Sequence, residues 1–146
     1  LADGELRGFF KKGILSYAAR YPGLNFSFEA EMPALSLLEI LELSDNFYAT
    51  YDTGNMTSMF VNHERYIDLI FHKINNVHLK DRTRQGGSRS LPPSEGDTNF
   101  ELIFAKLKEL GYNKLYTLQT ARGPLGEETS TVLRHKDILQ EIYDGA

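Results

Sequence analysis

The chain has 146 residues, 41% hydrophobic and 12% aromatic, enough apolar matter for one soluble globular domain with a buried core. A net charge of −4 with no basic run argues against a partner held by phosphate neutralisation, so no nucleic acid is expected. Zero cysteines exclude disulfides and thiolate ligands, leaving oxygen and nitrogen donors for any metal, and no apolar run reaches membrane-span length.

Taken in order, helix and strand patterns alternate. Leu6, Phe9, Phe10, Ile14 and Tyr17 recur at helical spacing until Pro22 and Gly23 stop the helix ahead of a strand, LNFSFE, residues 24–29. Pro33 opens a helix carrying Leu35, Leu37, Leu38, Ile40 and Leu41, and the strand FYATYD, residues 47–52, follows. Asn62 is placed to cap a helix with Tyr66, Ile67, Ile70 and Phe71, which leads to the strand NVHLKD, residues 76–81. A polar loop rich in Gly, Ser and Pro runs from Arg82 to Asp97. The next helix carries Phe100, Ile103, Phe104, Leu107 and Leu110 and stops at Gly111, a residue suited to a left-handed cap. The strand LYTLQT, residues 115–120, a loop from Ala121 to Thr129, and a helix with Val132, Leu133, Ile138, Leu139 and Ile142 complete an α(βα)4 order.

Each strand carries a polar, ligand-type residue at its end: Glu29, Asp52, His78 and Gln119. Side chains alternate along a strand, so Phe26 and Phe28 oppose Ser27 and Glu29, Ala49 and Tyr51 oppose Thr50 and Asp52, Val77 and Leu79 oppose His78 and Lys80, and Tyr116 and Leu118 oppose Thr117 and Gln119. Helices cover the first set; the second converges. Two carboxylates, an imidazole and an amide at adjacent strand ends make a hard-to-borderline site for a divalent cation. The alternation predicts a parallel sheet with the site beyond the carboxyl ends of its strands. A doubly wound open sheet and half of a (β/α)8 barrel both satisfy it. The polar inner face favours the barrel, because open parallel sheets are covered on both faces and read as continuous apolar runs. A complete barrel needs roughly 250 residues, about twice this length.

The strings FSFEAEMP, YDTGN, NVHLKDR, PPSEGDTNFELIFAKLKELGY and LQTAR, in this order, resemble the carboxyl-terminal half of a sugar-phosphate isomerase/epimerase of the xylose-isomerase-like TIM-barrel superfamily, over Leu24 to Tyr143. The resemblance implies a single partial domain over residues 1–146, holding strands five to eight of the parent barrel. In that family the last four strands each give one ligand to a divalent metal, at positions matching Glu29, Asp52, His78 and Gln119; the implied cofactor is Mn2+, Mg2+ or Zn2+. The chain departs from the pattern in three places. Many members carry Glu where Gln119 stands, and an amide coordinates but neither accepts nor releases a proton near neutral pH. In the P-L-G-x-G-x-x-D-[FW] loop, Pro93, Ser94 and Asn99 replace Leu, Gly and Asp. The extra histidines of the endonuclease IV branch are missing: Asn55 follows YDTG, and no D-x-H follows His78, so DNA repair is the weaker reading.

The expected chemistry is proton abstraction next to a carbonyl of a sugar or sugar phosphate, as in carbohydrate metabolism, with Glu29 as base and Lys80 close to a substrate oxygen. Arg82 and Arg122 are placed to bind phosphate or hydroxyls, and Gly86 and Gly87 to offer backbone N–H groups to an anion. Bland roles are expected elsewhere: Asp81 anchors the loop, Glu31 is a loop or helix-entry charge, Lys11 and Lys12 form a solvated face, and His63, His72 and His135 are solvated. The second class of reading is a noncatalytic carbohydrate-binding or interaction domain, motivated by Gln119 and the half-barrel length. The cysteine-free composition suits a cytoplasmic protein, and Leu1 in place of Met leaves residues expected upstream. A half barrel exposes two strand edges, so either the amino-terminal half or a second copy of the chain is the expected partner, and the chain alone is expected to dimerise, aggregate or fold loosely.

Overall fold

The structure is a computed structural model that describes residues 4–84 and 89–146. The elements are α1 (Gly4–Arg20), β1 (Phe26–Phe28), α2 (Ala34–Leu41), β2 (Phe47–Asp52), α3 (Thr53–Ser58), α4 (His63–Ile70), a 3-10 turn (Phe71–Lys73), β3 (Ile74–Leu79), α5 (Phe100–Glu109), β4 (Leu115–Leu118) and α6 (Glu128–Gly145). The strands form one parallel sheet in the order β1-β2-β3-β4. That sequential order decides between the two architectures: a doubly wound sheet reverses its strand order at a switch point, whereas a barrel adds each strand beside the last. The chain is a partial (β/α)8 barrel, with β1 and β4 at the edges.

The two faces of the sheet separate as the alternation requires. Phe47, Ala49, Tyr51, Ile74, Val77 and Leu79 are buried against Leu37 and Leu41 of α2, Ile67 and Ile70 of α4, and Ile103, Phe104 and Leu107 of α5. The other face is a polar ladder. Ser27 Oγ lies 2.7 Å from Thr50 Oγ1 and donates to Asn75 Oδ1 at 2.7 Å, while Thr117 Oγ1 donates to Asn76 Oδ1 at 3.0 Å. The pairing slips between Ala49 and Thr50, which face Ile74 and Asn76, so Asn75 is an extra residue on β3.

Local chemistry explains the helix ends. Asn62 Oδ1 accepts from Arg65 N at 2.9 Å at the start of α4, and Asn99 Oδ1 accepts from Leu102 N at 3.0 Å at the start of α5. Gly111 (φ +76°) closes α5 in a Schellman motif, with Tyr112 N bonded to Leu107 O and Gly111 N to Lys108 O, both at 2.9 Å. Several expectations need correction. The strands are shorter or displaced: β1 lacks Leu24, Asn25 and Glu29, β3 begins at Ile74 and ends at Leu79, and β4 stops at Leu118. The chain after β3 turns toward α3, where Lys80 N donates to Thr53 Oγ1 at 2.9 Å. A short helix, α3, follows β2 directly and was not foreseen. The apolar stripe of α1 meets the core only in part: Ala18 is buried and Ile14 packs on it, but Phe9 and Tyr17 are exposed.

Two of the three histidines expected to be solvated are buried. His63 receives Tyr51 Oη at 2.5 Å from Nδ1 and Thr57 Oγ1 at 3.2 Å from Nε2, and His135 Nδ1 lies 2.8 Å from Thr120 Oγ1; His72 is exposed as expected. Nearby polar side chains make those burials affordable, which apolar periodicity does not report. Asp81 anchors the loop as expected: its carboxylate accepts from Gly96 N at 2.9 Å and Thr98 N at 3.1 Å. Ser94, at the place where the family pattern has Gly, adopts φ +72°, a left-handed conformation that Gly takes without strain. Among the described residues no helix is long and apolar enough to cross a membrane.

Candidate metal centre

Glu29, Asp52 and His78 come together although they are far apart in sequence. Each offers one ligand atom, and these atoms all lie within 4.8 Å of one another. Parallel pairing produces the meeting: Asp52 stands opposite His78 in the β2–β3 register, and Glu29 follows directly on β1, the other neighbour of β2. Gln119 follows directly on β4, and its backbone N–H continues the ladder to Leu79 O at 3.0 Å.

Three of the candidate donor atoms make no hydrogen bond within the protein. Asp52 Oδ2, His78 Nδ1 and Gln119 Oε1 are buried and make no hydrogen bond. His78 Nδ1 lies 3.2 Å from Glu29 Oε2 without hydrogen-bond geometry, and Lys80 Nζ is 3.6 Å from Asp52 Oδ2, an ion-pair separation longer than a hydrogen bond. Buried polar atoms are ordinarily satisfied, so three orphans on three of the four strand-end residues mark a place built for something else. Burial raises the Asp52 carboxyl above its ordinary range; the Asn55 N–H and the Lys80 charge pull it down, and the Glu29 carboxylate pushes it up again. Two oxygens and a ring nitrogen of this kind fit a hard or borderline divalent cation.

The string YDTGN can be read residue by residue. Asp52 is both the strand-end carboxylate and the cap of α3, its Oδ1 accepting from Asn55 N at 2.7 Å. Thr53 Oγ1 donates to Lys80 O at 2.7 Å and accepts from Lys80 N at 2.9 Å, which pins the end of β3. A Cβ on Gly54 would stand 2.8 Å from Lys80 Cγ and 3.1 Å from Arg82 Cγ, so both side chains pass over this residue because it has none. Asn55 is buried at the centre. Its Nδ2 donates to Glu29 Oε1 at 3.1 Å, and its Oδ1 accepts from Lys80 Nζ at 3.1 Å and Arg82 Nη1 at 2.8 Å.

Lys80 and Arg82 therefore meet at Asn55, beside the cluster. Arg82 also lies 3.5 Å from Glu31 Oε1, and Glu31 is exposed, in keeping with a loop charge. Arg122 stands exposed in the loop after β4. Gly86 and Gly87 lie outside the described residues. Sequence reasoning missed Asn55 as a site residue. The available signal was the Asp-x-x-Asn spacing at a strand end, which places the second residue at the third helical position behind an Asp cap. An apolar cavity of about 560 Å3, lined by Leu79, Phe104, Tyr116, Leu118, Val132 and Leu139 among others, lies on the helix side of the sheet, away from this chemistry.

Comparison with known proteins agrees with the fold. The family model described as xylose isomerase-like TIM barrel matches residues 22–140. Among solved structures, a xylose isomerase domain protein from Planctomyces limnophilus superposes with a TM-score of 0.72 at 20% identity, covering 94% of this chain and 52% of that one. A D-tagatose 3-epimerase-like protein gives 0.71 at 25% identity, covering 91% and 51%. The IOLI protein, described with a binding zinc atom, gives 0.64 at 16% identity, covering 82% and 44%. The first and third likenesses are ones of fold. This chain spans about half the length of the solved chains it matches. No curated protein matches it significantly. With the family model matched from residue 22 to residue 140, the chain belongs to the xylose isomerase-like TIM barrel family.

Proposed function

We propose that this chain supplies the metal site of a divalent-cation-dependent sugar or sugar-phosphate isomerase or epimerase. The observation that carries the reading is the convergence of Glu29, Asp52 and His78 with buried, unpartnered donor atoms on Asp52 and His78. Those residues, with Gln119 as a fourth donor, would hold Mn2+, Mg2+ or Zn2+. When bound, such an ion supplies charge stabilisation to adjacent substrate oxygens.

The rest is done by protein groups. Glu29 is the more accessible carboxylate, its side chain 35% exposed against 1% for Asp52, so it can reach a substrate carbon as base. Removal of the proton next to the carbonyl leaves the electron pair in an enediolate, and Lys80 and Arg82, both gathered at Asn55 Oδ1, place positive charge beside that oxygen. Return of the proton to the same carbon from the other side gives an epimer; return to the adjoining carbon gives an isomer. Gln119 cannot carry a proton, so for an epimer Lys80 would donate from the other face, whereas for an isomer Glu29 itself could return the proton to the adjoining carbon on its own face. Arg122 is left to bind a more distant substrate group, and the open edges of β1 and β4 to be completed by a further barrel half or a second copy.

Gln119 also supports a second reading, a site that binds metal and sugar without turnover. The test is a panel of ketoses and ketose phosphates incubated with the Mn2+-loaded protein in deuterium oxide. Deuterium appearing next to the carbonyl supports the enzyme; sugar binding without exchange supports the binding module.

A further inference from the structure

We infer that Asn55 is the positioning residue of this site: its amide aims the Glu29 carboxylate into the cluster and keeps Lys80 and Arg82 from capturing it. The inference rests on the metal reading above and adds to it a residue that reading did not require. Glu29 lies just past a three-residue strand, at the sheet's edge, with a partly exposed side chain, so the ladder does little to fix its rotamer. Asn55, 7% exposed, supplies what the ladder does not.

The two ends of the amide do different work. Nδ2 donates to Glu29 Oε1 at 3.1 Å, leaving Oε2 turned to His78 Nδ1 at 3.2 Å. Oδ1 takes hydrogen bonds from Lys80 Nζ at 3.1 Å and Arg82 Nη1 at 2.8 Å. A neutral group with a donor at one end and an acceptor at the other is what this place needs. An Asp would set oxygen against oxygen at Glu29, and an apolar residue would take away the donor that holds Glu29 and the acceptor that holds Lys80 and Arg82, so that Glu29 could be drawn toward those cations and off the cluster. Gly54 makes the arrangement possible, since any side chain there would meet Lys80 and Arg82. The backbone N–H of Asn55 serves Asp52 separately, at 2.7 Å, so side-chain substitutions leave that contact in place.

The test is Mn2+ affinity, read as free Mn2+ by electron paramagnetic resonance, for the full chain, Asn55→Ala, Glu29→Ala and the double variant. Thermal unfolding in EDTA reads the fold of each one independently. Asn55→Ala is expected to weaken Mn2+ binding about 10-fold or more, as loss of a residue that orients a ligand commonly does. On the Glu29→Ala background the same change is expected to cost less than about 2-fold, because it acts through a carboxylate no longer there. Asn55→Ser, small and polar but too short to reach Glu29, is expected to repeat the loss and decides the matter if Asn55→Ala fails to fold. Additive losses, or unchanged affinity in both Asn55 variants, overturn the inference while leaving the metal site standing. Failure of the unsubstituted chain to bind Mn2+ overturns the metal reading and this inference with it.

Discussion

Asp52→Asn should change stability in opposite directions with and without metal. Asp52 is 1% exposed, its Oδ2 makes no hydrogen bond, and it sits in a cluster with Glu29. Asn keeps Oδ1 for the Asn55 N–H and caps a helix about as well as Asp. It also removes a desolvated charge and turns an amide N–H2 toward the Glu29 carboxylate. A buried unsatisfied group costs about 1–3 kcal/mol, and loss of the 3.6 Å Lys80 contact gives part of that back. The metal-free variant should therefore be more stable than the parent by about 1 kcal/mol. Mn2+ at a hundred times its Kd should raise the parent by about 2.7 kcal/mol and the variant hardly at all. The order of stability then reverses. Urea unfolding followed by circular dichroism, in EDTA and in Mn2+, reads both. A variant destabilised in EDTA would show that Asp52 is satisfied in the metal-free fold, and equal stabilisation of both proteins by Mn2+ would remove Asp52 from the ligand set.

Three further outcomes are expected. Burial, aided by the charge of Arg84, lowers His63 from 6.5 to about 4; an unfolded His63 takes up its proton first, so the stability it contributes is complete above about pH 6.5 and falls by about 3 kcal/mol toward pH 4. Urea unfolding from pH 7 to 4.5 should show this loss, and His63→Gln should flatten it; an equal slope in the variant would place the loss elsewhere. Gly96→Ala puts a Cβ 2.2 Å from Asp81 Oδ1 and 2.9 Å from Arg82 O, and should cost about 1–3 kcal/mol in the same assay; a neutral result would mean that the loop is not anchored through Asp81. Gln119→Glu places a carboxylate beside the other donors and should tighten Mn2+ binding about 10-fold, equivalent to about 1.4 kcal/mol. Unchanged or weaker binding would put Gln119 outside the ligand set.

Strand alternation carried most of what could be read in advance. It separated Phe47, Ala49 and Tyr51 from Tyr48, Thr50 and Asp52, and so located both the core and the cluster, because pleating leaves a side chain little choice of face. Helix caps at Asn62 and Gly111 were legible for a similar reason: their chemistry is local. The short helix α3 was not, since TGNMTS has no apolar stripe and forms where Asp52 caps it. Burial of His63 and His135 depends on Tyr51, Thr57 and Thr120, partners brought in by tertiary contact. The contacts of Asn55 are not legible in the sequence, because its partners, Glu29 after β1 and Lys80 and Arg82 after β3, come from two segments distant from it in the chain.

The most direct test of the metal-site reading is anomalous diffraction at the manganese edge from crystals of this chain grown with Mn2+. A single peak should lie about 2.0–2.4 Å from a carboxylate oxygen of Glu29, Asp52 Oδ2 and His78 Nδ1, the range for oxygen and nitrogen ligands of divalent ions. No peak there at saturating Mn2+, with Asp52 Oδ2 and His78 Nδ1 still unpartnered, would contradict the account.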